Sequence, residues 1–224
     1  MSRLLEAKDF VERARARSSA AAAAKVIALD DVRARAAEAP GPRWQLDELT
    51  GRLTELSGVG AVASLTAATA LVLEAQGRGE PCAWIVLPGA TFFPPDLADS
   101  GVDLDALIVV RTRDATTLAR AADTLLRSGA FGLVVLELGA TGELPMAAQG
   151  RLVSLAQHHD AALVAITERP RDGGSLGSIV SLRAEAVRER VRGGVRVAVR
   201  ALKDKRRGPG WSQPVAVVPP AGWK

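Results

Sequence analysis

Arg52-Leu-Thr-Glu-Leu-Ser-Gly-Val-Gly-Ala-Val-Ala-Ser-Leu-Thr-Ala-Ala-Thr-Ala-Leu71 reads as a short strand, a glycine turn and a helix. In an open α/β protein this is where a phosphate-binding loop sits. Such a loop needs Gly-x-x-x-x-Gly-Lys-Ser/Thr: backbone N–H groups cradle the phosphates, lysine neutralises their charge, and the hydroxyl holds magnesium. Counted from Gly58, the last three positions are Ala63, Ser64 and Leu65. Starting instead at Gly60 puts Leu65 and Thr66 where Gly-Lys belongs, so no register restores the motif. The layout of an NTPase is present without its lysine.

Outward from this stretch, apolar runs alternate with helix-length segments. Strands are expected at 52–56, 82–87, 106–110, 132–136 and 162–166, and helices at 62–76, 114–127 and 144–158, with a short turn or helix around Pro95–Ser100. This alternation predicts an α/β fold with a mostly parallel sheet between helical layers. The last third differs. Residues 180–187, 195–202 and 215–218 read as successive strands joined by turns at Gly193-Gly194 and Gly208-Pro209-Gly210, an antiparallel extension of the sheet. Before the core, residues 2–24 have helical spacing, 25–30 form a short β-branched run, and Pro40-Gly-Pro42 breaks the chain. The expected division is an appendage and linker at 1–43 and a core at 44–224.

The 224 residues, 48% of them hydrophobic, suffice for one substantial core built on aliphatic side chains, since aromatics are only 4%. A single cysteine, Cys82, excludes an intramolecular disulfide, and with two histidines there is no Cys/His set for zinc. No apolar run approaches the ~18 residues needed to cross a bilayer, and the early charges of the N-terminus are unlike a signal peptide. Cytoplasm is the expected compartment, with no membrane partner. The net charge of +4 matters less than its clustering at Arg13, Arg15 and Arg17 and again from Arg183 to Arg207. Such runs are ordinarily solvated faces of helices and edge strands; the sharper alternative is contact with nucleic acid or an acidic protein.

Other positions that should carry chemistry can be tested in turn. The second strand should end in a carboxylate able to polarise water, and it ends in Pro88. The fourth ends in Glu137, where an acid would help hold magnesium; without lysine and hydroxyl partners, a solvated or hydrogen-bonded surface acid accounts for it better. His158-His159-Asp160 suits a helix C-terminus better than a metal site. Neither Ser57 nor Ser64 has a neighbouring base in sequence or sits in a Gly-x-Ser-x-Gly elbow. No catalytic constellation, metal site or cofactor is therefore expected. Arg169-Pro-Arg171 opens a Gly/Ser-rich loop through Ser178 at a strand's C-terminal end, either a solvated connection or a ligand contact. Lys203, Lys205, Arg206 and Arg207 end a strand, where lysines either protect an exposed edge or reach a partner.

Particular residues add a resemblance. Gly51-Arg-Leu-Thr-Glu-Leu-Ser-Gly58 resembles the strand entering the phosphate loop of the RecA recombinase core, and Ser100-Gly-Val-Asp-Leu-Asp-Ala-Leu-Ile-Val109 resembles its Gly-Val-Asp segment and following strand. Leu126–Glu137 looks like the helix end and metal-binding strand, and Arg200-Ala-Leu-Lys-Asp-Lys205 is similar to the lysine-rich strand end that meets the neighbouring protomer's nucleotide. With the loop lysine, its hydroxyl and the catalytic acid replaced by Ser64, Leu65 and Pro88, and with both DNA loops short, the pattern resembles the ImuA family. Trp84-Ile-Val-Leu-Pro-Gly-Ala-Thr-Phe-Phe-Pro-Pro95 is similar to that family's second strand. The resemblance implies a non-catalytic adaptor in damage-induced translesion synthesis. Its implied partners are RecA, an ImuB-type Y-family-like protein and through it a DnaE-type error-prone polymerase, with weak salt-sensitive DNA binding open. Leu4, Leu5, Phe10 and Val11 are the candidate RecA-binding anchors. A SulA-like division inhibitor and an unorthodox ATP-binding recombinase are the alternatives.

Overall fold

A computed structural model describes residues 43–60, 62–140, 142–192 and 194–216. The appendage, with Leu4, Leu5, Phe10 and Val11, lies outside the described residues. After a four-residue helix α1 (Leu46–Leu49) the order is β1 (Leu53–Ser57), α2 (Ser64–Gly77), β2 (Cys82–Val86), α3 (Pro94–Asp99), β3 (Leu107–Arg111), α4 (Ala115–Arg127), β4 (Leu133–Gly139), α5 (Met146–His158) and β5 (Ala162–Thr167). Three strands close the described chain: β6 (Leu182–Val191), β7 (Gly194–Asp204) and β8 (Ser212–Val215).

The eight strands form one sheet in the order β3-β2-β4-β5-β1-β6-β7-β8. Pairings from β3 to β6 are parallel, and β6–β7 and β7–β8 are antiparallel. The α/β expectation with an antiparallel extension therefore holds. Two elements differ from expectation. β8 occupies 212–215 rather than 215–218, and α1 was not foreseen because four residues give no periodic signal.

The sheet carries one core on each face. On one, Ala67, Ala68, Leu71, Val72 and Ala75 of α2 meet Leu56, Trp84, Val135, Val164 and Ala184, with α1 and α3 adding Leu49 and Leu97. On the other, Leu118, Ala122 and Leu126 of α4 and Leu152 and Ala156 of α5 meet Leu53, Ile85, Leu136 and Leu163. The spacing of those helical residues, by four along α4 and α5, is the stripe a sheet-packed helix requires. Asp114 starts α4 by accepting the Thr117 N–H at 2.7 Å. β1, β2 and β5 are buried throughout, as strands covered on both faces must be.

Direction along the sheet reverses beside β1: α2 leaves it on one face, while α4 and α5 return on the other. The C-terminal ends of β1, β4 and β5 thus meet at the crevice where open α/β sheets bind ligands.

Candidate functional site

A cleft of about 280 Å³ opens at that crevice, lined by Gly58, Gly60, Val62, Ser64, Leu65, Ala90, Thr91, Glu137, Gly139, Ile166, Thr167 and Glu168. Five of the seven degenerate nucleotide-site positions, Gly58, Gly60, Ser64, Leu65 and Glu137, are brought together here. Ala63 lies buried as the N-cap of α2, and Pro88 is exposed beyond β2, outside the cleft.

The loop between β1 and α2 is closed on itself. The Gly58 N–H donates to Thr167 O (3.2 Å), Val62 N–H to Gly60 O (2.8 Å) and Ala63 N–H to Ala186 O (3.0 Å). A phosphate cradle needs N–H groups of this kind pointing at the anion. A Cβ added at Gly58 would stand 2.5 Å from Val62 Cγ1, so the valine side chain packs directly over the glycine. Only glycine fits beneath it. Ser64, at the lysine position, is buried with its hydroxyl unpartnered. The first-turn N–H groups of α2 lack intrahelical acceptors, as at any helix start. Against that weak positive end stand two carboxylates, Glu137 and Glu168, and no lysine or arginine lines the cleft.

Glu137 is not a surface acid. It is 3% exposed, and its carboxylate accepts from Trp84 Nε1 (3.0 Å), Thr91 N–H (2.7 Å) and Thr91 Oγ1 (3.1 Å). Three of roughly four lone-pair directions are occupied. Trp84 in turn packs on Phe92, with ring centroids 5.0 Å apart. At the metal-binding position of an ATPase, this acid instead ties β4 to β2 and to the Thr91 turn. Among the described residues no three His, Cys, Asp or Glu side chains come together as a metal-binding group.

A second polar cluster sits on the opposite face of β1. Glu55, fully buried in mid-strand, accepts from Thr167 Oγ1 (2.8 Å) and Leu176 N–H (2.9 Å). Arg183, its register neighbour on β6, lies 4.0 Å from it, donates to Ser57 Oγ (2.9 Å) and binds the carbonyls of Pro170 (2.6 Å) and Gly173. Arg169 completes the cluster, 3.8 Å from Glu55 and 3.7 Å from Glu143. Two expectations change. Arg183 is a buried structural cation rather than part of a solvated face, and the 169–178 loop is pinned at both ends of its turn rather than simply solvated. Arg171 pairs outward with Glu185 at 3.3 Å.

The basic strand end divides in the same way. Lys203 faces Arg183 in register; burial, then the neighbouring charge of Lys205, draws its pKa below the usual lysine value against an upward pull from Glu55. Lys205 donates to Ser178 O (2.5 Å). Arg206 reaches the carbonyls of Glu48 and Thr50 at the end of α1, and Arg207 pairs with the Glu48 carboxylate, which raises its pKa. β7 is not an edge over its middle, because β8 covers Val197–Arg200. At its end, buried Asp204 joins Arg52 (2.8 Å), Trp211 Nε1 (3.0 Å) and the Arg206 N–H (2.9 Å). Burial would raise the Asp204 pKa, but these donors outweigh it and hold the carboxyl below its ordinary range. At Arg52 burial prevails and draws the pKa below the usual arginine value. Sequence reading missed Glu55 and Asp204, whose partners are remote in the chain. His158 closes α5, as its position predicts.

No family model matches the chain. Part of it is similar to curated RecA proteins: 31% identical over 117 residues to "Protein RecA" of Rickettsia massiliae, covering 47% of this chain and 34% of that protein. The same span is 30% identical to RecA of Rickettsia prowazekii and 32% identical to RecA of Rhodospirillum rubrum. The chain therefore spans about a third of the length of the curated relatives it matches. These partial matches support a RecA-like relationship, and the mixed eight-stranded sheet is consistent with a RecA-like core. No helix among the described residues is long and apolar enough to cross a membrane.

Proposed function

We propose that this chain is a non-catalytic, RecA-like adaptor that acts through protein contacts in damage-induced mutagenic DNA synthesis. The observation that carries the non-catalytic half is the closed loop. Its N–H groups at Gly58, Val62 and Ala63 are engaged within the fold, and Val62 covers Gly58. Catalysis of phosphoryl transfer consists mainly of positioning and charge stabilisation. A cleft with two carboxylates, no cation and an acid already engaged by three donors offers neither.

The adaptor half rests on the ImuA-like sequence pattern and on the RecA-like relationship. It names RecA as one partner, through Leu4, Leu5, Phe10 and Val11, and an ImuB-type protein with its DnaE-type polymerase as the other. Any direct DNA contact belongs to Arg169, Arg171, Lys203 and Lys205 around the pinned loop, and would weaken steeply with salt. The test is co-purification with RecA and with ImuB, wild type against Phe10→Glu. The substitution is expected to abolish RecA association and leave the thermal midpoint unchanged; retained association, or a collapse in stability, contradicts the assignment.

A further inference from the structure

β3 is the strand at the far edge of the sheet. β3 pairs with β2 on one side, and among the described residues nothing pairs on the other. The Thr112 N–H reaches Val86 O, so alternate residues face β2 and the backbone groups of Val109 and Arg111 face outward, as does the Leu107 carbonyl, while the Leu107 N–H donates to Leu104 O. Edge strands are ordinarily blunted by charge, proline or a bulge in mid-strand. This one is apolar in its middle, Leu107-Ile-Val-Val, and Ile108 is 47% exposed. Its charges lie only at the ends and are opposite in sign: Asp103 and Asp105 before it, Arg111 and Arg113 after it. All four are exposed, and Arg111 has no ion-pair partner among the described residues.

That pattern is self-complementary under a two-fold axis. We propose that two copies of this chain pair antiparallel through β3, with the axis at Val109, making one continuous sheet. Leu107 of each copy then lies opposite Arg111 of the other, and Ile108 opposite Val110. The acidic turn at 103–106 meets the Arg111–Arg113 end of its partner at both ends of the interface. A twofold interface must be self-complementary in this way. A parallel alignment in register would instead set like charges together. Hydrogen bonds from Val109 and Arg111 N–H groups join the strands, and the β-branched cross-strand pairs cover Ile108.

The test is sedimentation velocity of the full chain over a concentration series, with three charge variants. Asp103→Arg/Asp105→Arg makes both ends basic, and Arg111→Asp/Arg113→Asp makes both acidic; each alone is expected to weaken self-association by about tenfold or more. Combining all four substitutions, or mixing the two variants, is expected to restore it. Circular dichroism checks that each variant is folded. A wild-type chain that stays monomeric throughout, or a dimer indifferent to these reversals, overturns the proposal.

Discussion

The two faces of β1 carry polar groups put to opposite ends. On the α2 side, the loop at Gly58–Ser64 retains the backbone course of an anion site while its N–H groups turn inward and Val62 fills the space above Gly58. On the α5 side, Glu55, Arg183, Thr167 and Arg169 form a buried ionic cluster whose groups are matched by partners and which fastens the 169–178 loop. One is a binding site closed by its own backbone; the other is a charged centre given over to holding the fold. The contrast teaches that a core can keep the shape of a ligand crevice with no cation lining it, provided that the frame around it is secured elsewhere.

The largest effect is expected from breaking the secured side. Arg183→Ala leaves Glu55 buried and short of its cation, at a cost of about 3–5 kcal/mol by analogy with other broken buried pairs. It should also open the 169–178 loop to proteases. Chemical denaturation and limited proteolysis read the two effects. Glu55→Leu/Arg183→Met removes both charges and should recover much of the stability, though not the loop.

On the closed side, Gly58→Ala pushes a methyl against Val62 and should cost about 1–3 kcal/mol. Val62→Ala in the same chain should remove most of that penalty. If Gly58→Ala is silent, the loop does not close on itself as described, and the comparison fails.

Acid sharpens a third element. The Asp204 carboxyl is held below its unfolded value by Arg52, the Arg206 N–H and Trp211. Above that unfolded value, about 3.9, both states are ionised and the contribution is complete. It is lost as pH falls through the lower, folded value. Stability should therefore fall on acidification below about pH 4, and Asp204→Asn should flatten that limb of the curve. The smallest effect is expected on the helical surface: Asp123, half-buried beneath Arg127 and Arg151, should cost at most about 1 kcal/mol when changed to alanine.

Much of this was legible in the sequence, because it depended on neighbours in the chain. Buried strands announced themselves as short aliphatic runs such as Leu133–Leu136, α4 by Leu118, Ala122 and Leu126, and the absent lysine by counting from Gly58. What escaped notice depended on distance. Glu55 looks like the polar member of an alternating strand; its meaning comes from Thr167, Leu176 and Arg183, all more than a hundred residues away. Asp204 likewise depends on Arg52 across 152 positions. The arginines from Arg183 to Arg207 share one composition yet have separate fates, from buried clamp to helix-end donor, because register rather than residue type decides which face each occupies.

The closed loop is tested most directly by titrating ATP and magnesium into the protein in a calorimeter, together with an Ala63→Gly/Ser64→Lys/Leu65→Thr variant that rewrites the missing motif. No saturable heat is expected from the wild type, and none from the variant, since Val62 still covers Gly58 and the loop N–H groups remain engaged. Saturable binding to the wild type would contradict the account and return the chain to the nucleotide-binding proteins whose framework it keeps.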